Sequence, residues 1–401
     1  MKTQVFAADI SPAADIIRGG GLVAVPTETV YGLAANGFDA AAVARIFEVK
    51  GRPENKPLSL MVHDETAIET LCTAVPKCAF ALAKRFWPGP LTIVLKAKPG
   101  IPDIVRAGGE TIGLRCPNHP KTLELLQKCA LPLAAPSANP SGEKSPVTAE
   151  QVSAYFNGKI EGIIDGGVSN VGRESTIIDL SQAPYKILRE GALSENEVFT
   201  ALAESMTILG ITGGTGCGKT TALTEIRDLG GLIIDCDEVY HRLLRECRPL
   251  LDEINARFPG AVPEGTLDTK ALGKIVFSDP EELLALNLIT HEYVDGEVSR
   301  LLLNHAKNGG QLAAIDAIAL IESGISARCK ATIGVTAPTE LRIQRLMKRE
   351  GISSEYAALR VSAQQPNEFF EEFCDHCISN DGSEEDFKAR CKALFEHIIS
   401  A

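Results

Sequence analysis

The sequence predicts an α/β protein of two domains, in which the second domain is a doubly wound parallel sheet. Three observations support this prediction. The length of 401 residues exceeds the usual limit of a single hydrophobic core. Strand-then-helix signals begin afresh at two distant places, residues 21–33 and 206–220. Short apolar stretches alternate with helical patterns in both halves. We therefore expect domains at 1–205 and 206–401, with a polar helix within 190–205 ending the first.

The individual elements follow from the apolar runs. In the first half, a helical pattern covers 39–50, and short runs predict strands at 91–95, 111–115, 131–135, 162–165 and 175–180. In the second half, strands are predicted at 207–212, 231–235, 312–316 and 332–336. Because helical patterns separate these strands, a parallel arrangement is expected there.

Composition places the chain among ordinary globular proteins, since 45% of its residues are hydrophobic and 23% are charged. No apolar run approaches the roughly 18 residues that a membrane-spanning helix needs. The first residues include acidic side chains where a signal peptide would be apolar, so a cytoplasmic protein without a membrane partner is expected. The net charge of −12 disfavours nucleic-acid binding over the whole surface and leaves only a local basic concavity for it.

The 11 cysteines are scattered singly, which is typical of reduced thiols. Cys374 and Cys377 enclose His376 in CDHC, a spacing that could open a zinc site. A structural zinc site needs four ligands, and no second pair has matching spacing. We expect these two cysteines to be plain thiols.

The stretch GGTGCGKTT matches a phosphate-binding loop and predicts a P-loop NTPase-type domain. Glycines allow the backbone N–H groups to surround phosphate, and the helix that follows directs its dipole there. Lys219 is expected to reach the β and γ phosphates of ATP, and Thr220 to ligate Mg²⁺. The nucleotide-binding set is Gly213, Gly214, Gly216, Gly218, Lys219, Thr220 and Thr221.

Three carboxylates follow predicted strands of the second half, where ligands of open α/β sheets bind. Asp235 and Asp237 could accept a proton from a hydroxyl nucleophile or hold a metal, and Asp316 is a second candidate metal ligand. Arg345 and Arg349 lie one helical turn apart. Both could point at phosphates, or the two could belong to an ordinary solvated helix face.

Together these residues resemble the dephospho-CoA kinase family over nearly all of 206–401. The resemblance extends through the IDCD strand end, residues 265–291, the two lid arginines and CDHCISNDG. It implies that ATP phosphorylates the 3′-hydroxyl of dephospho-CoA, with Asp237 as the base and the acceptor contacted by Asp235, His291 and Glu322.

The chain departs from that family pattern at several positions beside the acceptor. The family's Pro-Leu-Leu is Ile318, Ala319 and Leu320 here, and Glu292 and Thr269 replace a proline and an arginine. A P-loop kinase acting on another small hydroxyl compound therefore remains an alternative. A further alternative is an ATP-responsive regulator, although intact Lys219, Thr220 and Asp237 disfavour it.

The first half has polar clusters of its own. PTETVYGL places Thr29 in a polar strand-to-loop edge, and KGRPENKP supplies Lys50, Arg52 and Lys56. Such a cationic group suits a polyphosphate, yet alone it is equally typical of a solvated loop. Ser137 and Asn139 add a hydroxyl and an amide after the apolar run LPLAAP.

These stretches resemble the YrdC/Sua5 family of threonylcarbamoyl-AMP synthases over about 8–200, with Lys50-x-Arg52 and Ser137-x-Asn139 as the signature. The resemblance implies a twisted α/β sheet that condenses L-threonine, bicarbonate or CO₂, and ATP, with Mg²⁺ brought by the triphosphate. Lys50 and Arg52 are counted as catalytic, and threonine is expected near Thr29, Arg115, Ala135 and Ser175. ATP is expected near Arg52, Lys56, Thr111, Ser137, Asn139, Ser145 and Arg189.

Met61 departs from that family, since many members carry a histidine near threonine at its position. The product would pass to a tRNA threonylcarbamoyl transferase. The sequence thus favours a bifunctional enzyme. The alternative for the first half is an RNA-binding module that uses a basic concave surface.

Overall fold

The computed structural model describes residues 2–400 and divides into two compact units. The first unit ends at Ser205 and includes Lys307–Gly309, and the second begins at Met206. Within residues 2–400, no helix is both long and apolar enough to cross a membrane.

The first unit is built on a mixed sheet of 11 strands in the order β1-β9-β2-β3-β8-β4-β7-β6-β10-β11, with β5 paired to β6. Its strands are β1 (Gln4–Phe6), β2 (Val23–Val25), β3 (Gly32–Asn36), β4 (Ser59–Met61), β5 (Cys72–Thr73), β6 (Leu91–Ala97), β7 (Thr111–Arg115), β8 (Leu133–Ala134), β9 (Gly162–Ile164), β10 (Thr176–Asp179) and β11 (Lys186–Arg189). Its helices are α1 (Ser11–Arg18), α2 (Ala40–Lys50), α3 (Thr66–Leu71), α4 (Lys77–Phe86), α5 (Asp103–Arg106), α6 (Pro120–Cys129), α7 (Ala149–Phe156) and α8 (Glu195–Glu204).

Helix α2 shows how local sequence positions the cationic cluster. The Asp39 carboxylate accepts hydrogen bonds from the backbone N–H groups of Ala41 and Ala42, which caps the helix start. The helix ends at Gly51, whose φ of 60° lies in the left-handed region that glycine adopts without strain. Lys50 therefore occupies the last helical turn, and Arg52 is the first side chain beyond the stop.

The second unit has a five-stranded parallel sheet in the order β13-β14-β12-β15-β16. Its strands are β12 (Thr207–Thr212), β13 (Leu232–Asp235), β14 (Leu312–Asp316), β15 (Ala331–Thr336) and β16 (His376–Ser379). Its helices are α9 (Lys219–Asp228), α10 (Cys236–Glu246), α11 (Arg248–Arg257), α12 (Thr269–Val276), α13 (Pro280–Lys307, the last residue of which belongs to the first unit), α14 (Thr339–Glu350), α15 (Ser354–Ser362), α16 (Asn367–Phe373) and α17 (Glu384–Ser400).

The hydrophobic core that packs against this sheet supports the phosphate-binding loop. Strand β12 contributes buried Leu209 and Ile211, and α17 packs Phe387 and Phe395 into the same cluster. The ring of Phe387 reaches to 3.6 Å from where a side chain on Gly218 would begin. The turn into α9 therefore rests on a filled apolar surface, and a separate helical core forms around Leu250, Ile254, Phe258 and Leu286.

The α/β class of both halves and the parallel sheet of the second are confirmed. The predicted strands lie where the apolar runs placed them, within a few residues. Three edge strands, β1, β11 and β16, were not anticipated. β1 has three residues, of which one is buried, β11 has only half-buried or exposed side chains, and β16 begins within the polar CDHC stretch, so none of them carries a strong apolar signal.

We expect Phe387→Ala to destabilise the second unit by about 3–5 kcal/mol, because it removes a fully buried ring and leaves a cavity under the loop. Denaturant unfolding followed by circular dichroism measures the change. Phe277→Ala is the matched control, since that ring is 83% exposed and its loss should cost under about 0.5 kcal/mol. Equal effects of the two changes would contradict this packing.

Candidate active sites

The first unit has a cavity of about 290 Å³ that is lined by residues of β3, β4, β6, β7, β10 and β11 and of the loops between them. Of the predicted residues, those lining it are Thr29, Arg52, Thr111, Arg115, Ala135, Ser137, Ser175 and Arg189. These side chains come from segments as far apart as residues 29 and 189. The fold thus gathers most of the predicted threonine and ATP contacts around one space.

At one end of the cavity, Arg115 is held by a buried carboxylate. Its Nη2 donates to Glu28 Oε1 and to Thr29 Oγ1, each at 2.8 Å. The arginine and Glu28 side chains are only 8% and 13% exposed. Glu28 Oε2 also accepts from the backbone N–H of Asn118 at 3.0 Å. Arg115 is therefore fixed in one orientation.

A different arrangement holds the other cations of the cavity. Arg189 donates from Nη2 to the Ser175 carbonyl at 2.8 Å, and Arg52 donates from Nη2 to the Pro57 carbonyl at 3.1 Å. Burial lowers the pKa of both guanidinium groups, and the charge of Arg189 lowers the pKa of Arg52 further. Two like charges thus share the cavity, an arrangement that a polyanion would stabilise.

Lys50 does not line the cavity. It is 3% exposed, and its Nζ donates to the backbone carbonyls of Ser137 and Asn139. Burial, and then the charge of Arg52, lowers the Lys50 pKa to about 8. The two residues of the Lys50-x-Arg52 signature therefore have different positions. Arg52 lines the cavity, whereas Lys50 binds the backbone of the segment that carries Ser137.

Three other predicted ATP contacts also lie outside the lining. Asn139 donates from Nδ2 to the carbonyls of Pro140 and Glu143 at 3.0 and 2.6 Å, which folds its own loop. Lys56 is exposed. Ser145 donates from Oγ to Glu174 Oε1 at 2.7 Å, and Glu174 does line the cavity. Ser145 is thus one hydrogen bond away from it.

Sequence reasoning missed Glu174, Thr92 and Tyr31 as lining residues. Tyr31 lies in PTETVYGL, Thr92 lies in the predicted strand at 91–95, and Glu174 directly precedes the predicted strand at 175–180, but no spacing rule distinguishes a lining side chain from its neighbours. Thr92 Oγ1 lies 2.8 Å from Ser175 Oγ, and the Tyr31 hydroxyl donates to the Gly167 carbonyl at 2.8 Å. These contacts join distant strands and become visible only in the folded chain.

In the second unit, three consecutive carbonyls of the phosphate-binding loop accept side-chain hydrogen bonds. The Thr215 carbonyl accepts from Arg342 Nε at 3.0 Å, and the Gly216 carbonyl accepts from Arg345 Nη1 at 3.2 Å. The Cys217 carbonyl accepts from Asn380 Nδ2 at 2.8 Å. In a trans peptide the next N–H points the opposite way. The Cys217 N–H donates to the Gly214 carbonyl at 3.3 Å, so the Gly216 and Gly218 N–H groups are the two that these contacts leave for a phosphate.

Lys219 and Asp316 form an ion pair at this loop, with Nζ 3.3 Å from Oδ1. Apart from this ion pair, the buried Oδ1 has no polar partner among the side chains of residues 2–400. Burial raises the Asp316 pKa, against the opposing effect of Lys219. Asp235 is the register partner of Asp316 in the sheet, and its carboxylate caps α10 by accepting from the Glu238 N–H at 3.0 Å.

A metal ion would find few protein ligands here. Among residues 2–400, no group of three or more His, Cys, Asp or Glu side chains could hold one, and this includes the CDHC stretch. Magnesium bound with a nucleotide typically takes only one or two protein ligands and fills the rest with phosphates and water. Asp316 Oδ1, which has Lys219 as its ion-pair partner, and the exposed Thr220 at the start of α9 fit that mode.

A second cavity, of about 620 Å³, lies beside the sheet edge of this unit. Predicted residues Asp237 and His291 line it, together with Tyr240, Asn287, Thr290 and Arg328. Asp235 and Glu322 do not line it. Glu322 is exposed and accepts a 3.3 Å hydrogen bond from Gln365.

The two predicted lid arginines take different places. Arg345 lies against the loop, with Nη2 3.0 Å from Asn380 Oδ1. Arg349 is exposed and pairs with Glu350 at 2.6 Å, and Arg360 pairs with the same carboxylate. Of these two arginines, the structure therefore places only Arg345 against the phosphate-binding loop. Two side chains that lie one helical turn apart need not contact the same groups.

Comparison with known proteins matches the two halves separately. The Sua5/YciO/YrdC family, described as "Telomere recombination", matches residues 15–191, and the dephospho-CoA kinase family matches 207–386. The threonylcarbamoyl-AMP synthase of Pyrococcus abyssi is 48% identical over 192 residues, which are 48% of this chain and 56% of that protein. This chain thus spans about half the length of that relative.

Two shorter relatives are covered almost completely. A putative threonylcarbamoyl-AMP synthase of Mycobacterium tuberculosis is 38% identical over 194 residues, which are 48% of this chain and 88% of that protein. The dephospho-CoA kinase of Dehalococcoides mccartyi is 36% identical over 191 residues, which are 47% of this chain and 96% of that protein. The chain therefore belongs to both families, to the Sua5/YciO/YrdC family through its first half and to the dephospho-CoA kinase family through its second.

Proposed function

We propose that the chain is a bifunctional enzyme with one active site in each half. Residues 1–205 condense L-threonine, bicarbonate or CO₂, and ATP to L-threonylcarbamoyl-AMP and pyrophosphate. Residues 206–401 transfer the γ phosphate of ATP to the 3′-hydroxyl of dephospho-CoA. The observation that supports this most is that each unit has its own cavity and its own cations, Arg52 and Arg189 at the first cavity and Lys219 at the glycine-rich loop of the second unit. The synthase product would be consumed by a tRNA threonylcarbamoyl transferase, and a cytoplasmic location stays a prediction.

The synthase reaction needs no nucleophilic side chain. The threonine amine adds to CO₂ and releases a proton, and the resulting carbamate oxygen attacks the α phosphorus as the bond to pyrophosphate breaks. The protein's part is to position both substrates and to neutralise charge. Arg115, fixed by Glu28 and Thr29, suits the threonine carboxylate. Arg52 and Arg189, which have no carboxylate bond in the cavity, suit the triphosphate.

The kinase reaction needs a base at the acceptor and cations at the donor. Asp237 lines the acceptor cavity and would take the proton from the 3′-hydroxyl as the oxygen attacks the γ phosphorus. Lys219, which rests against Asp316, would turn to the β and γ phosphates. Thr220 and Asp316 would hold Mg²⁺, whose charge offsets that of the phosphate oxygens.

We expect Arg52→Ala to slow threonine- and bicarbonate-dependent pyrophosphate release at least about 100-fold, because a phosphate-binding cation is lost from the transition state. CoA formation by the same protein should stay within about twofold, since Arg52 belongs to the other unit. Arg85→Ala is the control, because that exposed arginine pairs with Glu204 and does not line the cavity. An unchanged pyrophosphate rate would remove Arg52 from the site.

A pH measurement tests the placement of Lys50. Its pKa is about 8 in the folded chain and about 10.5 when unfolded, so the unfolded state binds more protons between these values. The stability of the first unit, relative to a Lys50→Met variant, should therefore rise with pH by about 2 kcal/mol between pH 8 and 9.5. Denaturant unfolding at both pH values measures it. A constant difference between the two proteins would mean that Lys50 is solvated.

Asp237→Asn keeps the shape of the proposed base but removes its basicity. We expect CoA formation to fall by about 10²–10⁴ while the KM for ATP changes little. Lys219→Ala should instead impair both ATP binding and turnover, because Lys219 acts on the donor. Pyrophosphate release by the synthase half should survive both changes. If Asp237→Asn forms CoA at the unchanged rate, the base lies elsewhere, and Asp235 is next to test. If the unaltered chain hydrolyses ATP without forming CoA, another hydroxyl compound is the acceptor.

A further inference from the structure

Arg342 lies on α14 behind the phosphate-binding loop and is only 3% exposed. No Asp or Glu carboxylate of residues 2–400 lies within 4.0 Å of its nitrogens. A guanidinium group stays protonated in proteins, and an unpaired buried charge is costly. The chain thus places a buried positive charge beside the loop with no carboxylate of residues 2–400 paired to it.

Two neutral residues, Thr215 and Gln364, hold the Arg342 side chain in place. Its Nε donates to the Thr215 carbonyl at 3.0 Å, and its Nη2 donates to Gln364 Oε1 at 2.8 Å. Gln364 Oε1 also accepts from the Thr215 N–H at 2.8 Å, and Gln364 Nε2 donates to Thr215 Oγ1 at 2.6 Å. Every polar group of Thr215 is therefore bound by Arg342 or Gln364.

The loop is shaped around this guanidinium. A side chain on Gly214 would begin 2.1 Å from Arg342 Nη2, so only glycine leaves room for it. Because Arg342 binds the Thr215 carbonyl, the Gly216 N–H in the same peptide points to the opposite side. Gly216 has a φ of 82°, which glycine reaches freely. Its N–H donates to no backbone group in the part of the chain that the structure describes.

We propose that Arg342 is a positioning residue of the phosphate-binding loop, which directs the Gly216 N–H at the nucleotide's phosphates and adds a buried charge whose counter-ion is those phosphates. The inference rests on the proposed function only in requiring that the loop binds ATP. It does not depend on dephospho-CoA as the acceptor. A pure packing role of Arg342 would affect the affinity for every nucleotide equally. In the proposed role, the gain in affinity grows with the number of phosphates on the nucleotide.

Two variants of the full chain test this, both made in an Arg52→Ala background so that ATP binding reports on the loop. Arg342→Gln removes the charge, and Gln364→Glu places a carboxylate against Arg342 while keeping acceptors for Thr215. Arg300→Gln is the control, because that exposed arginine lies on α13 and pairs with Glu297. Calorimetric titration with ATP, ADP and AMP gives the nucleotide affinities. Lys219→Ala in the same background measures any ATP binding that occurs away from the loop. Thermal unfolding gives the stability of each variant.

We expect both variants to lose about 10- to 100-fold in ATP affinity, a smaller factor for ADP, and under about threefold for AMP. Gln364→Glu should be at least as thermally stable as its parent, because it neutralises the buried charge. Equal losses for ATP and AMP, or unchanged ATP affinity in the stable Gln364→Glu protein, would overturn the proposal. If the parent shows no ATP binding at the loop, the proposal also fails, whereas ATP binding without CoA formation by the chain overturns only the proposed acceptor.

Discussion

Both candidate sites depend on a buried cation that is held by backbone carbonyls instead of a carboxylate. In the first unit, Lys50 binds the carbonyls of Ser137 and Asn139, and in the second, Arg342 binds the carbonyl of Thr215. A carbonyl orients a cation but does not cancel its charge. The positive charge therefore remains at the site, where an anionic ligand can stabilise it. Each cation also fixes the loop whose side chains or N–H groups would contact that ligand.

Charge compensation distinguishes the arginines that line the first unit's cavity. Arg115 is neutralised by Glu28, whereas Arg52 and Arg189 donate to carbonyls. A compensated arginine suits a single carboxylate, because two fixed hydrogen-bond partners leave its orientation defined. Arg52 and Arg189 have no hydrogen-bonded carboxylate within residues 2–400, although the charge of Glu174 acts on Arg189, and such arginines suit a triphosphate, which carries several charges. The same division occurs in the second unit, where Asp316 pairs with Lys219 and no carboxylate within residues 2–400 pairs with Arg342.

Local patterns in the sequence predicted the α/β architecture, whereas the resemblance to the YrdC/Sua5 family supplied most of the polar residues that line the first cavity. Short apolar runs report buried strands, and the loop at Gly213 to Thr220 has a spacing that few other functions require. The roles of Lys50, Arg342 and Glu28 could not be predicted, because each depends on a partner that is distant in sequence. Arg345 and Arg349 could not be distinguished from the sequence for the same reason. Their helical spacing predicts that both side chains point the same way, but in the folded chain Arg345 contacts the phosphate-binding loop and Arg349 pairs with Glu350.

The central claim is that one chain contains two complete and independent active sites. The most direct measurement is mass spectrometry of the products formed by a single purified preparation of the full chain. One portion receives ATP, L-threonine and bicarbonate, and another receives ATP and dephospho-CoA. The account predicts threonylcarbamoyl-AMP with pyrophosphate in the first and CoA with ADP in the second, each without the other's substrate. Absence of either product, or a requirement of one reaction for the other's substrate, would contradict it.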